Sequence, residues 1–259
     1  MDALSAVDVE LVRADNPGPF TLEGSNSWLV GRDGCWIVDP GPEIDTHLDL
    51  LAEEAQRRGG IEGVVLTHGH GDHADGLDGL LARVGNVPVG AAEVGSVRLL
   101  DGERFGPFEV LETPGHAPDC LSFLAGAALF TGDAVLGHGS VFVAPDPGAM
   151  TGYLGALERL LELEATVLCP GHGPVVLDPQ AKLSEYLDHR LERERRLLDA
   201  LEDGLRTTDE LLDRVWADAP SELRGAALLT LVAHLDRLTE DGLVPDGVER
   251  PEIPQYGEV

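Results

Sequence analysis

The apolar run Ile61-Glu62-Gly63-Val64-Val65-Leu66 leads straight into Thr67-His68-Gly69-His70-Gly71-Asp72-His73. This junction constrains the fold more than any other feature. A short β-branched run bounded by glycine is a strand pattern, and the Gly-spaced polar loop stops it. Packing does not explain three histidines and a carboxylate at such density, because a buried histidine needs a partner for each ring nitrogen. Imidazole and carboxylate are the donors that a borderline divalent metal such as zinc prefers. Donors at the carboxyl end of a strand lie where α/β sheets build their sites.

The same ending recurs three times. Residues 108–111 run into Thr113-Pro114-Gly115-His116, residues 128–131 into Gly132-Asp133, and residues 165–169 into Pro170-Gly171-His172-Gly173. Thus His68, His70, Asp72, His73, His116, Asp133 and His172 each follow a β run, and five of the nine histidines lie in Gly-framed loops. A lone histidine of this kind is usually a turn or capping residue; the ordered set points to a metal site. His47, His189 and His234 fall on predicted helices and read as surface or packing residues. His138, in the loop Gly137-His138-Gly139 after Asp133, is a candidate to face the site.

Between these motifs the pattern alternates. Residues 27–30 and 35–38 flank Gly31-Arg32-Asp33-Gly34 as a hairpin. Leu48, Leu51, Ala52 and Ala55 give 46–58 helical periodicity, ended by Gly59-Gly60. Helices are also expected at 77–84 and 148–163, a short strand from Val87, and a second hairpin around Ala125-Gly126. After Asp178-Pro179 the character changes to a charged helix over 180–203, shorter helices at 209–216 and 223–240, and a small β turn at 242–248 read as a hairpin. That order matches a winged-helix module. The expected division is a catalytic domain over 1–178 and a winged-helix-like domain over 179–259.

Composition narrows the classes. A chain of 259 residues with 43% apolar content can bury a large core. The net charge is −29, with Lys182 the single lysine. Residues 181–259 carry 10 Lys/Arg against 19 Asp/Glu, a net −9, and residues 1–180 carry −20. This balance disfavours nucleic-acid binding, which normally brings a basic face. Arg190, Arg193, Arg195 and Arg196 form the one basic cluster; Glu192 and Glu194 interrupt it, so it reads as a solvated helix face. Cys35, Cys120 and Cys169 have no disulfide or zinc-ribbon spacing. With no export signal and no membrane-length apolar stretch, a cytoplasmic protein with no membrane partner is expected.

The motifs at 67–73, 114–116, 131–133 and 170–173 resemble those of the metallo-β-lactamase superfamily. The resemblance covers residues 26 to about 177 and implies a four-layer αββα sandwich. It also implies two divalent metal ions, zinc above all. His68, His70 and His116 would hold one, Asp72, His73 and His172 the other, and Asp133 would bridge them. With Tyr153-Leu154-Gly155-Ala156-Leu157 and Val232-Ala233-His234-Leu235-Asp236-Arg237-Leu238, the whole chain looks like the β-lactamase-like-protein-2 group. That group has a hydrolase core and a C-terminal winged-helix-like domain, and an animal member cleaves single-stranded RNA. Relatives often carry His or Ser where this chain has Cys120, read here as a small half-buried thiol. Di-iron oxidoreductases of the superfamily carry Glu in place of the second histidine, here His70.

Two cations sharing an oxygen ligand lower the pKa of a bridging water from about 16 to near 7, so no side-chain nucleophile is needed. Asp133 suits the bridge because a carboxylate has two oxygens, and Asp72 can orient the hydroxide or take its proton. These two are the expected catalytic residues. The expected activity is hydrolysis of a small ester, thioester or lactone, with single-stranded RNA as the alternative substrate. A third reading gives the C-terminal module a substrate-covering or homodimer-forming role, through an apolar stripe of Leu191, Leu197, Leu198 and Leu201.

Overall fold

The computed structural model describes residues 3–93, 95–251 and 253. A short helix α1 (Ala3–Ala6) precedes two β-sheets. The first contains β1 (Val9–Arg13), β2 (Asn26–Val30), β3 (Cys35–Val38), β4 (Ile61–Val65), β5 (Val89–Ala91) and β6 (Val97–Arg98), in that spatial order. The β1–β2–β3 pairs are antiparallel and the β3 to β6 pairs parallel. The second sheet has the order β11 (Val167–Pro170), β10 (Ala128–Gly132), β9 (Leu121–Ala125), β8 (Phe108–Glu112), β7 (Arg104–Phe105). Both expected hairpins form. Trp28 pairs with Val38 across the first, and Ala125 with Ala128 across the second, where Gly126 takes φ +58°.

Side-chain alternation decides the layers. Successive residues of a strand point to opposite faces. Trp28, Val30, Val38 and Val65 from the first sheet therefore meet Phe108, Val110, Phe123, Phe130 and Cys169 from the second. The intervening Leu29, Ile37 and Val64 point outward, onto α2 (Asp45–Arg57), with Leu80 of α4 (Leu77–Val84) in the same cluster; between these helices lies the turn α3 (Gly71–Ala74). Leu111, Leu129 and Leu168 point the other way, onto Tyr153, Leu157 and Leu160 of α5 (Ala149–Leu161). The result is the expected αββα sandwich. Each fully buried Leu or Phe contributes roughly 2 kcal/mol through apolar area removed from water.

The helix α6 (Pro179–Glu202) is capped by Asp178, whose side chain accepts from the Ala181 N–H, with proline at its start. Its first half packs Leu183 and Tyr186 against the sandwich cluster. Its second half packs Leu197, Ala200 and Leu201 against α7 (Thr208–Val215) and α8 (Arg224–Glu240) in a separate cluster.

Four expectations change here. Arg190 and Arg193 are not solvated: they are 1% and 6% exposed. They share the spacing of Leu183, Tyr186, Leu197 and Ala200, so helix periodicity turns them inward. Arg195 and Arg196 do remain outside, paired with Glu192. Leu191 is 45% exposed and leaves the apolar stripe. Cys120 is buried rather than half-buried. Among the described residues no strand forms at 242–248. Gly242 and Gly247 sit at positive φ, the Leu243 N–H closes onto the α8 carbonyl of Leu238, and Glu249 N–H reaches Arg206 O, so the segment's hydrogen bonds are spent on turns.

Candidate metal centre

All seven sequence-predicted donors converge at one edge of the sandwich. His68, His70, Asp72 and His73 follow β4 and enter α3; His116 lies between β8 and β9; Asp133 follows β10 and His172 follows β11. Main-chain bonds lock these loops together. Asn26 N–H donates to Gly171 O (2.8 Å), Gly171 N–H to Gly132 O (2.8 Å) and Leu121 N–H to Thr67 O (2.7 Å). The Asn26 amide brackets the His172 loop by donating to Pro170 O (3.0 Å) and Gly173 O (2.9 Å).

The donor atoms form three overlapping groups: His68, His70 and His116; His68, His73 and Asp133; and Asp72, His73 and His172. His70 Nδ1 lies 3.0 Å from both His68 Nε2 and His116 Nε2. One ring proton cannot serve two such contacts, whereas a cation between the three lone pairs can. His73 Nε2 lies 3.2 Å from His172 Nε2, and Asp72 Oδ2 lies 3.1 Å from His172 Nε2. Asp133 joins the groups. Its Oδ1 is 3.4 Å from both His73 Nε2 and His172 Nε2, while its Oδ2 is 3.6 Å from His116 Nε2. Ligands at about 2.0–2.1 Å from a tetrahedral zinc stand roughly 3.3 Å apart, the spacing seen here. Buried Asp133 Oδ1 has no hydrogen-bond partner, so a cation is what the donor set lacks. The residues present therefore fit divalent metal.

Electrostatics prepare the donors. Burial pushes His116 down to about 4 and His68 well below the usual imidazole range, so both rings are neutral, as metal ligands must be. His172 is drawn up to about 9: burial opposes its charge, but Asp133 and Asp72 outweigh it. Burial also opposes ionisation of Asp133, yet His172 and His73 hold its carboxyl well below the ordinary range. Metal binding must then displace protons from His172 and His73.

Asp39, which follows Ile37-Val38 and is not one of the seven predicted donors, supports two of them. Its Oδ2 accepts from His73 Nδ1 (2.9 Å) and from Thr67 Oγ1 (2.7 Å), and its Oδ1 accepts from the Thr67 N–H (2.7 Å). Thr67 Oγ1 in turn accepts from His68 Nδ1 (3.1 Å). One carboxylate thus fixes the orientation of two rings and turns both Nε2 atoms inward. Asp39 holds φ +55°, a strained conformation for a residue with a Cβ. The available signal was that Asp39, like Asp133, ends an apolar strand. Asp39→Asn is expected to weaken metal affinity by about 10–100-fold, read by competition with a chromogenic chelator; wild-type affinity would remove Asp39 from this role.

His138 does not join the cluster. Its ring bonds Glu23 (3.1 Å) and is about half exposed. His47 and His234 are buried packing residues on α2 and α8. Asp72 (30% side-chain exposure) and half-buried His70 are the donors that reach toward solvent, marking the open side.

A model of the metallo-β-lactamase superfamily matches residues 20–99 and 93–172, and one of the β-lactamase-associated winged helix domain matches 207–248. A β-lactamase-like protein 2 homolog of Caenorhabditis elegans is 34% identical over 91% of this chain and 85% of its own length. An atrochrysone carboxyl ACP thioesterase of Aspergillus chevalieri is 35% identical over 84% of this chain and 76% of its own. A β-lactamase domain protein from Burkholderia ambifaria superposes with a TM-score of 0.78 over 96% of this chain and 91% of that one, at 21% identity. No helix among the described residues is long and apolar enough to cross a membrane. Donor set, sandwich and C-terminal helices thus agree with the matches, and the chain belongs to the metallo-β-lactamase superfamily as a metal-dependent hydrolase of the β-lactamase-like protein 2 type.

Proposed function

We propose that this enzyme is a binuclear zinc hydrolase of small acyl thioesters. The observation that carries the reading is Asp133, whose two oxygens face different histidine groups within one cluster of seven donors. His68, His70 and His116 would hold one ion, Asp72, His73 and His172 the other, with Asp133 placed to serve both. Bound divalent ions supply a nucleophile from water at neutral pH and polarise a carbonyl oxygen. The nitrogen-rich, oxygen-completed donor set suits zinc. Asp72 accepts a proton during attack: its carboxyl stays ionised because, against burial, His172 and His73 favour the anion, and it reaches the solvent side. Residues 1–178 form the catalytic unit and 179–259 the winged-helix-like unit, with α6 shared. Three free thiols suit a cytoplasmic location.

Thioester is favoured over the broader ester and lactone class by the Aspergillus chevalieri relative, whose name is that of a thioesterase. Single-stranded RNA loses support because two of the four clustered arginines are buried. Charge separates the substrates by salt. A net charge of −29 repels a polyanionic substrate, and raising ionic strength from about 0.01 M to about 0.15 M shortens the Debye length from about 30 Å to about 8 Å. The kcat/KM for a coenzyme A thioester is therefore expected to rise severalfold over that range, while that for a neutral N-acetylcysteamine thioester stays flat. The same preparation should carry about two metal ions per chain by elemental analysis. RNA cleavage that falls steeply with salt, together with no thioester turnover, would overturn the proposal.

A further inference from the structure

A cavity of about 440 Å³ lies between residues 139–142, which follow the Asp133 loop, and the helices α6 and α8. Phe142, Val141 and Trp216 give it apolar and aromatic walls, and Arg190 and His189 line it as well. Phe142 is shared with the metal centre: its ring meets the ring of His116 with centroids 4.6 Å apart. The cavity is thus one side chain away from the donors. Its size lies within the range of sites that take a ring-bearing organic ligand, and it is far larger than an acetyl group needs.

Arg190 sets the chemistry. The residue is 1% exposed, and its guanidinium carbon stands 5.4 Å from the centre of the Tyr153 ring. Its Nη2 donates to Ser140 Oγ (2.9 Å) and to the Val141 carbonyl. Its Nε has no hydrogen-bond partner. Among the described residues, no carboxylate lies within ion-pair range of it. Arg193 differs in both respects, with Asp218 at 2.7 Å and the Val215 carbonyl as partners. Thr230 is also spent: its hydroxyl accepts from Val143 N–H (3.1 Å) and donates to Ala226 O (3.1 Å). A buried guanidinium keeps its charge at all working pH values, so an unmatched one calls for an anion.

We propose that this cavity receives the acyl part of the substrate, and that this part is an aromatic group carrying a second, anionic oxygen that pairs with Arg190. The aromatic walls take the ring, Arg190 takes the carboxylate or phenolate, and the scissile carbonyl is left on the Phe142 side, beside His116. The inference rests on the thioesterase reading for its substrate class, though not for the existence of the anion site.

The test binds 2,6-naphthalenedicarboxylate to the metal-loaded enzyme and follows tryptophan fluorescence, with Trp216→Phe to assign the signal. Binding is expected to perturb Trp216. It should weaken about tenfold or more in Arg190→Gln, and by a similar factor in Ala226→Phe, which fills the space without touching the charge. In parallel, aryl N-acetylcysteamine thioesters with a distal carboxylate, a distal phenolate or neither are compared. Wild type should prefer one of the anionic substrates through KM, and Arg190→Gln should erase that preference. The distal group that is preferred identifies the oxygen. A ligand that leaves Trp216 undisturbed, or affinities unchanged in both variants, overturns the proposal, even if thioesters are turned over. Binding that depends on Arg190 and Trp216 in an enzyme inert toward every thioester leaves the anion site standing and overturns the thioesterase reading instead.

Discussion

Asp133→Ala is expected to lower kcat/KM for the best thioester by about 10³-fold or more, equivalent to roughly 4 kcal/mol of transition-state stabilisation. The size follows from position. Asp133 is the one donor whose two oxygens each approach histidines of a different group, at 3.4 Å and 3.6 Å. Truncation removes a donor from both prospective ions at once, whereas loss of His70 would affect one. It also leaves the ring nitrogens of His73 and His172 close together without their shared counter-charge. Metal content should fall below two ions per chain, while far-ultraviolet circular dichroism stays native because the sandwich core lies beneath the donors. Asp133→Asn keeps one oxygen as a neutral donor and should lie between the two. A variant that retains two metals and near wild-type turnover would show that the bridge has been misassigned.

Gly171→Ala is expected to cost about 10²-fold in activity, although it adds one methyl group and changes no donor. A Cβ at Gly171 would stand 2.5 Å from Asp133 Oδ1, 2.6 Å from His73 Cε1 and 3.1 Å from the Gly132 carbonyl carbon. Neither side chain can swing aside freely. His73 is tied through Nδ1 to Asp39, and Asp133 is held between three histidines. The displacement therefore falls on the donors. The backbone itself offers no objection, since Gly171 is not among the glycines at positive φ. Gly155→Ala is the matching control: it lies exposed on α5, its Cβ would meet nothing within 4 Å, and helix propensity favours alanine by about 1 kcal/mol. The expected contrast is a crippled, metal-poor Gly171 variant beside a fully active, slightly stabilised Gly155 variant, read by turnover, metal content and thermal melting. Wild-type activity and metal content in Gly171→Ala would mean that the donors have more freedom than their bonds imply.

Much of the site was legible because its donors follow a local rule. Each comes directly after an apolar strand, in a loop framed by glycine or proline, and strand endings can be read from residue type. Asp39 obeys the same rule, but Asp39-Pro40-Gly41 also reads as a turn, and nothing local ties its carboxylate to the donors. Its role depends on Thr67, 28 residues away, and on His73, 34 residues away. The arginines of α6 were misread for a related reason. Alternating charge suggested a solvated face, while the 3-4 spacing from Leu183 through Arg190 and Arg193 to Leu197 already placed them on the inward stripe. The charges dominated that reading because burying a guanidinium is costly without partners. Those partners, Val141 and Val215, come from other segments.

The sequence by itself determined the sandwich and the helical C-terminal module and singled out the seven candidate donors, because period, turn chemistry and ligand type are properties of neighbouring residues. Tertiary structure alone decided which nitrogen of each ring faces inward, that Asp133 reaches both histidine groups, and that Arg190, with no carboxylate in ion-pair range among the described residues, lines a cavity bordered by the Phe142 ring that meets His116. Those outcomes depend on distances between segments far apart in the chain, and such distances are fixed only once the sheets have packed.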